Sequence, residues 1–173
     1  MDNRGLSFMP LRRPFRVVCL VPSWTETLFD LGLTEEEIVG RTDYCIHPMD
    51  RVDRIERVGG PKDPDIQKIF RLEPDLIITD LKLPKMHGLD MLEELNKQGY
   101  RIPTIVMTFH GSEETAVQAF RLGVRDYIQK PFEIKEVLAC VERVLVESRL
   151  RREQEKLHRR LATTNRRLGQ KVA

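Results

Sequence analysis

Three side chains able to do acid, hydroxyl and amine chemistry fall at the ends of three successive apolar runs. Asp80 follows Asp75-Leu-Ile-Ile-Thr79, Thr108 follows Ile105-Val-Met107, and Lys130 follows Tyr127-Ile-Gln129 and precedes Pro131. A carboxylate at the carboxyl end of a parallel strand sits where open α/β sheets hold their ligands. An acid, a hydroxyl and an amine facing one crevice suit an aspartate that accepts a phosphoryl group, with the amine as countercharge. Pro84 and Gly88 supply a stiff turn and then a permissive one before the next helical run. Two milder readings compete: a strand-end aspartate can cap the loop after it, and lysine is usually a surface residue. The ordered coincidence of Pro84, Gly88, Thr108 and Lys130 favours the crevice.

The elements that must position these groups alternate. Arg16–Val21, Ile38–Thr42, Asp75–Thr79, Ile102–Met107 and Asp126–Gln129 read as five short buried strands. Helical spacing fills the gaps over Ser23–Leu31, Asp65–Leu72, Leu89–Leu95 and Glu113–Leu122, and Glu133 opens a long helix that continues to Leu161 or beyond. Ser23 with Glu26 has the spacing of a capping box, which also accounts for both residues without a nucleophile. Five strands alternating with helices predict a parallel sheet with right-handed crossovers. Residues 43–63 carry no periodicity and read as an irregular loop, a length that in compact domains is functional or disordered. Trp24, near a helix start, reads as packing rather than as a stacking platform.

Bulk properties narrow the function class. At 173 residues, the chain holds one domain and an appendage. With 40% apolar and 32% charged residues and no apolar run long enough to cross a bilayer, it is no membrane protein. Residues 1–15 read as a flexible polar leader without a secretory signal, so the expected location is the cytoplasm. Cys19, Cys45 and Cys140 are expected as buried free thiols, and Cys45 with His47 makes too few ligands for structural zinc. From Arg149 to Ala173, nine Lys/Arg face two glutamates, a net of +7 that leaves −5 for residues 1–148 of the whole chain's +2.

From about Leu72 to Leu145 the chain resembles a response-regulator receiver domain. The resemblance is carried by Asp80 with Pro84 and Gly88, Thr108-Phe-His-Gly111, Glu113–Phe120, Gly123-Val-Arg-Asp-Tyr127 and Lys130-Pro131-Phe132. It implies a flavodoxin-like three-layer α/β sandwich with a five-stranded parallel sheet of order 2-1-3-4-5. It implies Asp80 as phosphoacceptor, Thr108 as switch hydroxyl, Tyr127 as aromatic switch, Lys130 as the site amine and a cis bond before Pro131. It also implies Mg²⁺ held by Asp80 and the Lys82 backbone carbonyl, and a sensor histidine kinase as partner. The acidic pair that receivers carry at the end of the first strand reads Leu20-Val-Pro-Ser23 here, which leaves the Mg²⁺ site degenerate, with Glu26 or Asp43 as substitutes. A receiver turns over no separate substrate, so enzyme activity is not expected.

Residues 16–79 resemble something else. Val18-Cys-Leu-Val-Pro-Ser-Trp-Thr-Glu, Val39-Gly-Arg-Thr-Asp-Tyr-Cys45, Val58-Gly-Gly60 and Leu72-Glu-Pro-Asp-Leu-Ile77 are similar to the N-terminal lobe of cobalamin- and siderophore-type substrate-binding proteins of ABC importers. The chain therefore reads as a hybrid, split at about residue 79, with a body over 16–148 and a basic helical tail over 149–173. The alternatives are a corrinoid-type ligand-binding module and a hybrid fold without activity. In the tail, Leu150, Leu157, Leu161 and Leu168 make a weak heptad pattern suited to a homodimer. No aromatic interleaving or recognition motif points to nucleic acid.

Overall fold

The computed structural model describes residues 15–60, 63–81, 88–109 and 112–169. Residues 1–14 of the expected leader, with Lys82 and Pro84, lie outside them, and Phe15, the last residue of that leader, is instead buried in the core. Eight strands and six helices follow in chain order. They begin with β1 (Val17–Cys19), α1 (Pro22–Asp30), β2 (Ile38–Arg41) and α2 (Met49–Val52). Three two-residue strands come next, β3 (Glu56–Arg57), β4 (Gly59–Gly60) and β5 (Asp63–Pro64), then α3 (Ile66–Arg71). The second half is regular: β6 (Leu76–Asp80), α4 (Gly88–Lys97), β7 (Thr104–Thr108), α5 (Glu113–Arg121), β8 (Asp126–Gln129) and α6 (Ile134–Gly169).

The main sheet is parallel throughout, with order β3-β2-β1-β6-β7-β8. The five strands from β2 to β8 have the expected flavodoxin-like order, and the sixth is the added edge strand β3. β4 and β5 pair separately as a small antiparallel ribbon. The fold is the expected α/β sandwich with a C-terminal helix. The strand count differs because residues 43–63 are more ordered than their composition suggests.

One residue organises that segment. Arg41, only 1% exposed at the end of β2, donates from Nε to the Val52 carbonyl at 2.7 Å and from Nη1 to the Cys45 carbonyl at 3.0 Å. A buried guanidinium must have its donors met, and here the loop's own carbonyls meet them. The loop thus folds around a buried cation as well as around Val52, Ile55 and Val58, which pack into the core.

Alternation along the strands sorts the core into two faces, as the period of two requires. Val17, Cys19, Leu76, Ile78, Ile105 and Met107 pack with α1 and α6 on one side. Val18, Ile77, Leu81 and Val106 pack with α3, α4 and α5 on the other. Helix starts follow local chemistry. Asp65 accepts from the Lys68 amide at 2.9 Å and Ser112 from the Thr115 amide at 3.2 Å, two side-chain N-caps. α1 corrects the capping-box expectation: it begins at Pro22, its N-cap is Val21 with no side-chain bond, and Ser23 lies inside the helix. Proline at the first helical position has no amide to leave unsatisfied and a φ already set for helix. The three cysteines are buried and free.

Candidate functional site

The register of the parallel strands builds the site. Asp80 ends β6 opposite Met107, so Thr108, the last residue of β7, lies one step beyond it. Thr108 in turn faces Gln129, and its carbonyl accepts from the Lys130 amide at 2.7 Å. The three strand ends therefore bring carboxylate, hydroxyl and amine to the same edge of the sheet. Lys130 Nζ donates to Asp80 Oδ2 at 2.7 Å, with their side chains 10% and 20% exposed. Thr108 is fully buried, and the Lys130–Pro131 peptide is cis.

Two neighbours escaped the sequence reading. The Phe109 ring centroid lies 4.8 Å from Lys130 Nζ, within cation–π reach. Gly88 was expected to serve as a permissive turn. Its reason is space instead: a Cβ there would lie 2.4 Å from the Asp80 carbonyl oxygen, while its amide donates to Leu81 O at 3.0 Å. Glycine lets the start of α4 rest directly on the strand end that carries the acid.

Tyr127 stands on β8 next to this cluster. Burial pushes its phenol above the ordinary tyrosine value, and the Thr108 hydroxyl draws it part of the way back. The Tyr127 Oη is shielded from solvent and reaches no partner with full hydrogen-bond geometry among the described residues, so burial dominates. Trp24 is 2% exposed and packs on Phe132 with ring centroids 4.8 Å apart, a contact within the body of the domain as expected.

A divalent cation fits this donor set poorly. Mg²⁺ is held through carboxylates, phosphate oxygens and water. The tip of β1 offers Val21, Pro22 and Ser23, with Val21 buried in the core. Among the described residues no three His, Cys, Asp or Glu side chains come close enough together to hold a metal ion. Glu26 and Asp43 are exposed, and the Lys82 carbonyl lies outside the described residues. What the residues fit is a carboxylate neutralised by a lysine.

Comparison with known proteins gives a family match and neighbours of the same fold. Residues 63–142 match the family model of the response regulator receiver domain. The chain is 37% identical over 93 residues to the regulatory protein AtoC of Escherichia coli (strain K12), covering 54% of this chain and 20% of AtoC. It is 41% identical over 91 residues to the regulatory protein LuxO of Vibrio cholerae, covering 53% of this chain and 20% of LuxO. It thus spans about a fifth of the length of these relatives. Among solved structures, the signal receiver domain of a LuxO-type repressor protein from Vibrio parahaemolyticus superposes with a TM-score of 0.58 at 28% identity, over 83% of this chain and 98% of that one. Residues 63–142 thus match the receiver-domain family model, and they are carried on a fold, running from β1 to α6, that superposes on a solved receiver domain.

Proposed function

We propose that this domain is a two-component signalling switch in which Asp80 is the phosphoacceptor. The observation that carries the reading is the 2.7 Å bond from Lys130 Nζ to Asp80 Oδ2 at the shared end of β6, β7 and β8. In the reaction an Asp80 carboxylate oxygen attacks phosphorus, the donor's P–N or P–O bond breaks, and an acyl phosphate forms. Lys130 supplies positive charge to the phosphoryl oxygens, since catalysis in such transfers is mostly positioning and charge stabilisation. Thr108 offers its hydroxyl to the new phosphoryl group, and Tyr127, on the next strand, follows Thr108. The donor is a phosphohistidine on a sensor kinase, and the domain turns over no separate substrate. The Leu150–Leu161 face of α6, exposed along its length, supports a homodimer.

Intact-mass spectrometry after incubation with acetyl phosphate tests this, with and without Mg²⁺ and beside Asp80→Asn. One added phosphoryl mass in the parent alone supports it. No addition under any condition removes Asp80 as an acceptor.

A second reading rests on the family match beginning only at residue 63. It takes residues 16–79, whose first part lies outside that match, as the remnant of a substrate-binding lobe and the chain as a hybrid. Calorimetry with cobalamin decides whether a corrinoid-type ligand is still bound. Absence of both phosphorylation and binding in a stably folded chain leaves a hybrid scaffold without activity.

A further inference from the structure

A second cleft lies at the opposite pole of the sheet from Asp80, where β7 and β8 begin. Its volume is about 180 Å³, and its lining includes Arg101, Arg125 and Arg151 and no acidic residue. Leu95 and Leu122 contribute an apolar floor, and Tyr100 a wall. The Tyr100 ring is fixed by stacking on Phe70, centroids 3.8 Å apart.

The charges there are only loosely satisfied. Arg125 pairs with Glu147 at 3.0 Å and Arg151 with Glu155 at 3.4 Å, but both glutamates are about half exposed and stand outside the lining. Arg101 is exposed and has no carboxylate partner among the described residues. The C-termini of α4 and α5 also open here and contribute roughly one negative charge between them. Three guanidiniums thus leave the lining positive by about two charges, which the two glutamates balance from outside. Exposed pairs of this kind are worth about 1 kcal/mol or less, so a ligand displaces them cheaply. The planar fork of a guanidinium matches carboxylate and phosphate alike. A phosphoryl group, with about two charges and three acceptor oxygens, can meet more of the three arginines at once than a carboxylate can.

We propose that this cleft binds a small phosphorylated metabolite carrying two negative charges. The site has a mechanical side. Arg101 and Arg125 precede β7 and β8, whereas Arg151 lies on α6 three residues past Ser148, the last buried residue among the described ones of that helix. A dianion held by all three ties the root of the projecting helix to the body. Neither the cleft nor its ligand depends on phosphorylation of Asp80.

Isothermal titration calorimetry on the full chain, with inorganic phosphate, pyrophosphate and AMP as separate probes, tests the site. At least one probe is expected to bind, with affinity falling about tenfold or more in Arg101→Ala and in Arg151→Ala, as for loss of a charge-assisted contact. Arg121→Ala, an exposed arginine outside the lining, and Asp80→Asn are expected to bind as the parent does. The bound probe is also expected to slow tryptic cleavage after Arg151. No heat from any probe at millimolar concentration overturns the proposal. So does binding that Arg101→Ala and Arg151→Ala leave intact. Parent-like circular dichroism in the variants excludes misfolding as the cause of a loss.

Discussion

Lys130 reaches Asp80 across an intervening strand. Asp80 ends β6 and Lys130 directly follows β8, and β7 lies between those strands. Neighbouring strands are about 4.8 Å apart, so the lysine stem must span roughly two spacings. It does so over the end of β7, where its own amide is bonded to the Thr108 carbonyl, so one residue senses both neighbours. Lys130→Met is therefore expected to slow phosphorylation of Asp80 by tenfold or more. It is also expected to cost about 1–2 kcal/mol of stability, less than a fully buried pair because both groups keep some solvent. Time-resolved mass spectrometry and urea unfolding measure the two effects. An unchanged rate would remove Lys130 from the site.

Gly88→Ala tests the close approach of α4. A Cβ 2.4 Å from the Asp80 carbonyl oxygen meets backbone, which cannot rotate away. The variant is expected to lose about 2 kcal/mol or more and to disturb Asp80 in the same step, while Gly99→Ala, with open space around it, strains only its own backbone. Amide chemical shifts of Asp80 and Leu81 should move in the first variant and stay fixed in the second.

The donor set at the tip of β1 makes a prediction about metal. Trp24 packs on Phe132, two residues beyond Lys130, and so reports on this end of the sheet. Its fluorescence is expected to be indifferent to millimolar Mg²⁺ in the parent. Pro22→Asp places a carboxylate at the first position of α1, where a negative charge is favoured, and is expected to gain a saturable Mg²⁺ response. A saturable response in the parent would show that Glu26, Asp43 or the Lys82 carbonyl completes a metal site after all.

Asp126 is expected to contribute to an acid limb of the stability curve. Burial raises its carboxyl, but the bonds it accepts from Cys140, Arg143 and the Tyr127 amide outweigh that, and the net shift is downward. A carboxyl lowered on folding stabilises the native state above its unfolded value. That contribution is lost as pH falls through the folded value. Chemical unfolding from pH 6 downward should show this loss, and Asp126→Asn should flatten it. An identical acid limb in the variant would assign the loss to other carboxyls.

Much of this was legible in the sequence, and the parts that were not share a cause. Asp80, Thr108 and Lys130 stand out because each follows an apolar strand, and the parallel register does the rest. The inner strand order followed from the resemblance, and the residues fit it. Arg41, Phe109 and Gly88 were not legible in their roles. Each acts through a contact distant in sequence: a guanidinium to loop carbonyls, a ring to an ammonium, a missing Cβ to a backbone oxygen. Ser23 misled because its spacing to Glu26 fits a cap, while Pro22 starts the helix one residue earlier. Residues 43–63 misled because their order rests in part on a buried cation, Arg41, that lies outside the segment.

The 36 residues of α6 form a single uninterrupted helix, and every described side chain from Leu150 to Thr164 is exposed. At 1.5 Å per residue, the portion past Ser148 reaches about 30 Å from the body. A tilt of some 10° at its root swings the far end by roughly 5 Å, more than the diameter of a methyl group. A turn about its own axis, by contrast, changes only which side faces outward. Whatever this arm touches therefore responds to angle at the root, and inserting one residue past Ser148 re-aims everything beyond it by about 100°.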